Sequence, residues 1–443
     1  MDIIIKILQL ILSLSILVIV HEFGHFIAAK AFKTRVEKFY LFFNPWFSLY
    51  KFNYKGTEYG IGWLPLGGYV KIAGMIDESM DKEQMKKPPE PWEFRSKPAW
   101  QRLIIMLGGV IMNVVLAIVI YIGILSFYGE EYLPTSEANK YGISVDSLAM
   151  EMGFREGDKI KTIDGQYIED FRKIPMNIIL NEAKTADVVR DGHEITIHFP
   201  EGSLHKLVNH KSPLFISVRI PFIAQSFTKN SVAKEAGMEA GDTIIAINGM
   251  EKRFFSDFRT EVQKHKNEDI VVTVKRGNDT IDLPMHLGED GLLGVYPKND
   301  LNAFFDLNKK NYNVVQAIPE GFNRTWEGIG NYLKQLKLLF SPEVKAYESV
   351  GGFITIGSIF PSVWHWESFW RLTAFLSIML AIINVLPIPA LDGGHVLFIM
   401  YEIIARRKPS DKFLEYAQIV GMIILFSLLI LANGNDIIKL FRG

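Results

Sequence analysis

Four apolar runs restrict the fold more than any other feature of this chain: residues 3–29, 103–127, 372–386 and 417–431 each read as a membrane span. The first two exceed the ~20 apolar residues that a helix needs to cross hydrocarbon. The third is short and closes on Pro387 and Pro389; a membrane tolerates such irregular backbone where it lines a protein-enclosed site rather than lipid. The first run starts almost at Met1, lacks a basic leader and continues through an ionisable cluster, so it is expected to be retained rather than cleaved as a secretory signal.

Basic residues set the expected orientation. Thirteen Lys or Arg lie between Lys30 and Arg102, and Arg406, Arg407, Lys408 and Lys412 follow the third run. Both loops are therefore expected on the cytoplasmic side, with the termini and the long segment between the second and third spans opposite. Over the whole chain 48 Lys and Arg meet 49 Asp and Glu, a balance that gives no reason to expect a nucleic-acid partner.

The long external segment contains a repeat. Residues 147–165 align without gaps with residues 231–249, 84 positions on, with nine identities in nineteen, which points to one supersecondary unit used twice. Each copy reads as a short helix ending at Gly153 or Gly237, a Gly-Asp turn (Gly157-Asp158, Gly241-Asp242) and an alternating strand (159–163, 243–247). Asp164-Gly165 and Asn248-Gly249 then supply hairpin turns. The two units resemble PDZ domains, whose usual work is to take an extended peptide as an added strand. Plain α+β spacers without a ligand are the alternative, because no carboxylate-binding loop is clearly legible in the first copy.

The chemical signal sits inside the first apolar run, as His21-Glu22-Phe23-Gly24-His25. Positions i and i+4 share one helix face, so the two imidazoles can grip one metal ion while Glu22 reaches a metal-bound water. Ten His and 49 acidic residues in 443 predict at most roughly 0.025 such patterns per chain by chance. Idle ionisable groups at membrane depth would each cost ~2.5–3.5 kcal/mol. With no cysteine in the chain, a third ligand has to be His, Asp or Glu. Asp392, in the stretch 384–395 that reads NVLPIPALDGGH, is the favoured candidate and His395 its rival. The prolines end the helix and Gly393 and Gly394 are expected to let the backbone turn sharply, and an Asp at the edge of lipid needs a cation more than a neutral imidazole does.

HEFGH in a first span, with INVLPIPALDGGHV far downstream, resembles the paired signature of the site-2 proteases; the tandem PDZ-like insert is similar to the RseP (regulator of sigma-E protease) branch of that family. Further matching segments are GTEYGIGWLPLGGYVKI (56–72) and LGGVIMNVVLAI (107–118). The resemblance covers essentially the whole chain and implies an intramembrane zinc metalloprotease. It implies one Zn2+ on His21, His25 and Asp392, with Glu22 activating water. It also implies that Asn384 contacts the substrate or the developing oxyanion, a helix–helix hydrogen bond being the alternative. A β-hairpin loop after the first span is expected to dip toward the site, with Gly60, Gly62, Gly67 and Gly68 permitting close approach of substrate. Two departures from the family pattern are Phe42-Phe43-Asn44, where relatives carry Gly-x-Gly, and Gly352-Phe353, where many carry Gly-Pro.

The expected fold class is thus a multi-pass α-helical membrane protein with four transmembrane helices, a membrane-associated β-hairpin region and two inserted α+β PDZ-like domains. Expected boundaries are a first membrane half at 1–130, PDZ-like units at 131–210 and 211–297, a linker with amphipathic or interfacial helices at 298–371, and a second membrane half at 372–443. The resemblance implies a bacterial inner membrane location, the lipid bilayer as surroundings, and single-span substrates of the anti-sigma-factor or remnant-signal-peptide type, trimmed first by another protease. Peptide ligands of the PDZ-like units are a further implied partner class. A non-catalytic scaffold in which the metal only staples spans, or a metal-dependent transporter, are the competing readings; four spans without an inverted repeat argue against the transporter.

Overall fold

The computed structural model describes residues 2–75, 88–208, 210, 215–339 and 351–442. Parts of the basic loop after the first apolar run (76–87) and of the expected linker (340–350) lie outside the described residues. The chain divides into two compact units, residues 1–129 with 311–443, and residues 130–310.

In the first unit, α1 (Asp2–Ala31) and α2 (Ala99–Tyr128) are apolar along almost their whole length, and each is long enough to cross a membrane. They pack through glycine: a Cβ on Gly24 would sit inside the Gly108 carbonyl, and one on Gly108 would lie 2.6 Å from the Gly24 oxygen. Close backbone approach of this kind is how helices associate where lipid removes the hydrophobic drive between them. Between α1 and α2 runs a four-stranded sheet rather than a single hairpin: β1 (Val36–Phe43), β2 (Tyr50–Tyr54), β3 (Thr57–Ile61) and β4 (Leu64–Ile72), in the order β2-β3-β1-β4. β1 and β3 are parallel, and β4 runs antiparallel to β1 and forms one edge. Phe42, in the stretch where the resemblance leads one to expect Gly-x-Gly, has φ of +67°, a left-handed backbone that glycine adopts more readily.

The second unit carries the repeat. In the first copy, α3 (Ser147–Glu151) precedes β5 (Lys159–Ile163), which pairs with β6 (Thr185–Arg190), itself paired with β7 (His193–His198). In the second, α4 (Val232–Glu235) precedes β8 (Thr243–Ile247), which pairs with β9 (Asp269–Arg276), itself paired with β10 (Asp279–His286). Each copy has its own apolar core, around Phe154, Ile160 and Val188 in one and Phe258, Ile244 and Val272 in the other. The hairpin dipeptides adopt the left-handed pair of a type I′ turn, φ +46° and +75° at Asp164-Gly165 and +48° and +77° at Asn248-Gly249.

Back in the first unit, α5 (Val314–Leu339) packs on α2. It is followed by α6 (Phe353–Ser358), α7 (Trp366–Val385), α8 (Asp392–Ala405) and, last, α9 (Asp411–Arg442). α7 and α9, the latter over 412–439, are also long and apolar enough to span. α9 runs beyond the expected end of its apolar stretch because Asp436 does not stop it. The Asp436 carboxylate accepts hydrogen bonds from the Thr355 amide (2.9 Å) and hydroxyl at the start of α6, so a buried charge is satisfied by an open helix N-terminus.

Candidate metal centre

Helices α2, α7 and α8 gather around the C-terminal half of α1. His21 and His25 are buried one turn apart on the face of α1 that meets α2. The end of α7 brings Asn384, and the first residue of α8 is Asp392. The turn joining α7 to α8 differs in detail from the sequence expectation. Gly393 and Gly394 lie inside α8, and the left-handed residue is Ala390, with φ of +80°. The glycines are needed for space: a Cβ on Gly393 would strike the Val385 and Leu386 carbonyls, and one on Gly394 would lie 2.6 Å from Pro389 Cα. Their bareness lets α8 start against the end of α7, and that start fixes the depth of the Asp392 carboxylate.

His21 Nε2 and His25 Nε2 are 3.3 Å apart, and each is 3.2 Å from Asp392 Oδ2. Ligand atoms on a tetrahedral ion with bonds of about 2.0–2.1 Å stand about 3.3 Å from one another. Asp392 Oδ2 is nevertheless buried with no hydrogen bond among the described residues: the two contacts have the length of hydrogen bonds without their geometry. A buried carboxylate oxygen left in that state is costly unless a cation completes it. Among the described residues these three form the only cluster of three His or acidic groups close enough to share an ion, and the donor set fits a divalent metal with a fourth position open.

Helix α2 supplies the wall behind the imidazoles. A Cβ on Gly109 would lie 2.7 Å from His21 Nε2 and closer still to His25 Nε2, so only glycine leaves the nitrogens their place. His25 Nδ1 donates to the Ile105 carbonyl at 2.8 Å, and His21 Nδ1 is 3.0 Å from the Asn113 amide. In front lies a cavity of about 450 Å³ lined by Glu22, Phe43, Tyr69, Asn384, Asp392 and His395, among others. Glu22 stands beside the Val70 amide of β4, and Asn384 Nδ2 is 3.4 Å from His21 Nε2.

Of the residues singled out from sequence, His21, His25 and Asp392 meet, and Glu22, Asn384 and Gly68 line the same cavity. His395 lines the cavity one turn along α8 but is outside the three-residue cluster. Gly60, Gly62 and Gly67 are not among the cavity's lining residues. Their missing side chains make room inside the sheet instead, Gly60 for the Tyr40 ring, Gly62 for the Phe43 carbonyl and Gly67 for the Phe43 ring. Gly109 and Asn113 have no part in the sequence-based expectations, although both fall in the segment 107–118; a glycine pair and a lone polar residue in an apolar helix are the signal that points to them.

Comparison with known proteins places the whole chain in one family. The model of Peptidase family M50 matches residues 9–428. A Vibrio cholerae protein named as a presumptive zinc metalloprotease is 29% identical over 99% of this chain and 100% of its own length. Protease RseP of Yersinia pestis is 28% identical over 97% of this chain and 98% of its own, and the regulator of sigma E protease of Haemophilus influenzae 26% identical over the same shares. With the match running through all four apolar helices and both halves of the His–Asp cluster, this chain belongs to peptidase family M50, the membrane-embedded site-2 metalloproteases.

Proposed function

We propose that this chain is a zinc-dependent intramembrane endopeptidase that hydrolyses peptide bonds in the membrane segment of single-span substrates. The observation that carries the proposal is the triangle of His21 Nε2, His25 Nε2 and Asp392 Oδ2, open on the side where Glu22 and Asn384 face one cavity. His21, His25 and Asp392 would hold the ion, which would supply Lewis acidity toward the scissile carbonyl and the attacking water. The Glu22 carboxylate takes the proton of that water and hands it to the leaving amine nitrogen. The Asn384 amide donates to charge that develops only in the transition state.

A helical substrate hides its peptide bonds, so the segment has to be held extended. β4 is suited to holding it, being an edge strand whose residues Gly68, Tyr69, Val70, Lys71 and Ile72 line the cavity. Main-chain pairing along such an edge supplies affinity independent of side-chain sequence. The basic loops support an orientation with the metal site toward the cytoplasm of a bacterial inner membrane and the repeat unit outside. The two repeats act as PDZ-like modules that exclude substrates with large external domains or bind peptide ends, so that anti-sigma factors or remnant signal peptides arrive after trimming by another protease.

Purified full-length protein and single-span peptides, with fragments mapped by mass spectrometry, test this reading. Glu22→Gln is expected to lose cleavage by at least about 10²-fold, the lower range for removing a general base, while still holding one zinc per chain. Undiminished cleavage by that variant removes Glu22 from its role. Zinc bound by wild type without cleavage of any single-span peptide favours the scaffold reading.

A further inference from the structure

We infer that Asn113 is a positioning residue for the metal centre, holding His21 in the tautomer that presents Nε2 to the ion by accepting a hydrogen bond from its Nδ1–H; the inference rests on the zinc reading above. Asn113 is fully buried in α2, and its side-chain amide is 3.0 Å from His21 Nδ1. The amide nitrogen faces the ring nitrogen, and Asn113 Oδ1 is a buried acceptor with no partner among the described residues. The assignment of amide oxygen and nitrogen follows from the hydrogen-bond network rather than from shape, so the chemistry of His21 decides between them.

His21 Nε2 points at the vertex shared with His25 Nε2 and Asp392 Oδ2. A neutral imidazole that offers its Nε2 lone pair to a cation carries its hydrogen on Nδ1. An amide NH2 at 3.0 Å would then be a donor facing a donor. Turning the Asn113 amide by half a revolution places Oδ1 against Nδ1–H and removes that conflict. Either orientation leaves one amide atom unpaired, so the ion at Nε2 decides.

The neighbouring ligand shows the same arrangement without ambiguity. His25 Nδ1 lies 2.8 Å from the Ile105 carbonyl, which can only accept. One helix, α2, thus serves both imidazoles, through a main-chain oxygen at Ile105 and a side-chain oxygen two turns later at Asn113. The Asn113 main chain is itself anchored, since its carbonyl accepts from Ser377 Oγ of α7 at 2.7 Å. Partners of this kind fix ligand orientation, and removing one typically costs about 10–100-fold in metal affinity.

The experiment measures zinc affinity by competition with a chromophoric chelator, and the visible absorption of the Co2+-loaded protein, on full-length wild type, Asn113→Asp and Asn113→Leu in detergent. Aspartate has the same shape and can only accept, so Asn113→Asp is expected to hold zinc at least as tightly as wild type with an unchanged Co2+ spectrum. Asn113→Leu is expected to bind roughly 10–100-fold more weakly, with an altered spectrum and an unchanged unfolding temperature of the metal-free protein. If Asn113→Leu does not fold, Asn113→Asp decides alone: weaker binding than wild type by about tenfold or more means that the amide donates, and overturns the inference. Wild-type affinity in a folded Asn113→Leu overturns it as well. Wild type that binds neither ion would sink the zinc reading itself, and this inference with it, which sets that failure apart from the others.

Discussion

Asp392 in the membrane unit and Asp242 in the repeat unit each have a carboxylate oxygen shut off from solvent at the start of an element, yet their surroundings are opposite. Asp242 is saturated: Arg276 donates to both oxygens at 2.7 Å, and the Glu239 amide adds a bond of 2.9 Å. The first repeat does the same with Asp158, which takes two bonds of 2.8 Å from Arg190 and another of 2.8 Å from the Arg155 amide. In both copies the arginine also reaches the carbonyl of the glycine that ends the short helix, Gly153 or Gly237. Asp392 has two imidazole nitrogens at 3.2 Å and one oxygen without a hydrogen bond among the described residues. A carboxylate completed by its own chain fastens the fold; one left incomplete between two imidazole nitrogens is placed to take an ion.

The largest way to break that contrast is Asp392→Ala. Metal affinity is expected to fall by more than the roughly 10–100-fold typical of a supporting residue, with the repeat unit unaltered in hydrogen exchange; equal zinc content in wild type and variant would remove Asp392 from the ligand set. Gly109→Ala comes next, because its methyl group would occupy the space of His21 and His25 Nε2. Zinc titration should show a loss of at least about tenfold, comparable to removing a supporting partner, although no ligand has been changed.

Arg276→Ala acts on the other side of the comparison. It leaves the buried Asp242 carboxylate without its bidentate partner, which destabilises strongly when both charges are out of water. The Arg276 side chain is one-third exposed, so solvent already screens the pair and water can enter in its place. Amide exchange in β9 and β10 should therefore speed by roughly tenfold rather than by the larger factor of a fully buried pair, with zinc affinity unchanged. Slower or equal exchange would mean that the pair is not a fastening.

The smallest effect is in pH. Hydrogen bonding to the Arg276 guanidinium holds the Asp242 carboxyl below its usual range. A group whose folded value is depressed contributes stability above its unfolded value and loses it as pH falls through the folded one. Protection of the second repeat should therefore stay level from about pH 7 to 5 and decline below about 4, and Arg276→Ala should flatten that decline. An unchanged decline in the variant would assign it to other carboxylates.

Much of this is legible in local patterns. The His21–His25 spacing and the four apolar runs are statements about periodicity and length, and the structure has helices over all of them. The repeat's turns, Asp164-Gly165 and Asn248-Gly249, are readable because left-handed backbone selects so few residues. The second function of its Gly-Asp pair is not: the arginines that complete Asp158 and Asp242 lie 32 and 34 residues on, where nothing in the local pattern announces them. For the same reason Gly60, Gly62 and Gly67 look like room for substrate in the sequence, and the space they leave is taken by Tyr40 and Phe43 from β1.

Residue order alone says which groups must be satisfied: two imidazoles on one face of an apolar helix, and an aspartate after a proline-closed one, cannot remain in lipid without partners. Helix packing is what makes them converge on one point where an ion can complete all three, because His21 and Asp392, far apart in the chain, meet through tertiary contacts and not through sequence spacing. It also decided what the bare positions are for. Whether a glycine serves a turn, a ligand or a neighbouring backbone depends on which atoms would touch a side chain placed there: at Gly109 they are the imidazoles of α1, and at Gly393 and Gly394 the backbone of 385–389, which the turn between α7 and α8 folds back onto them.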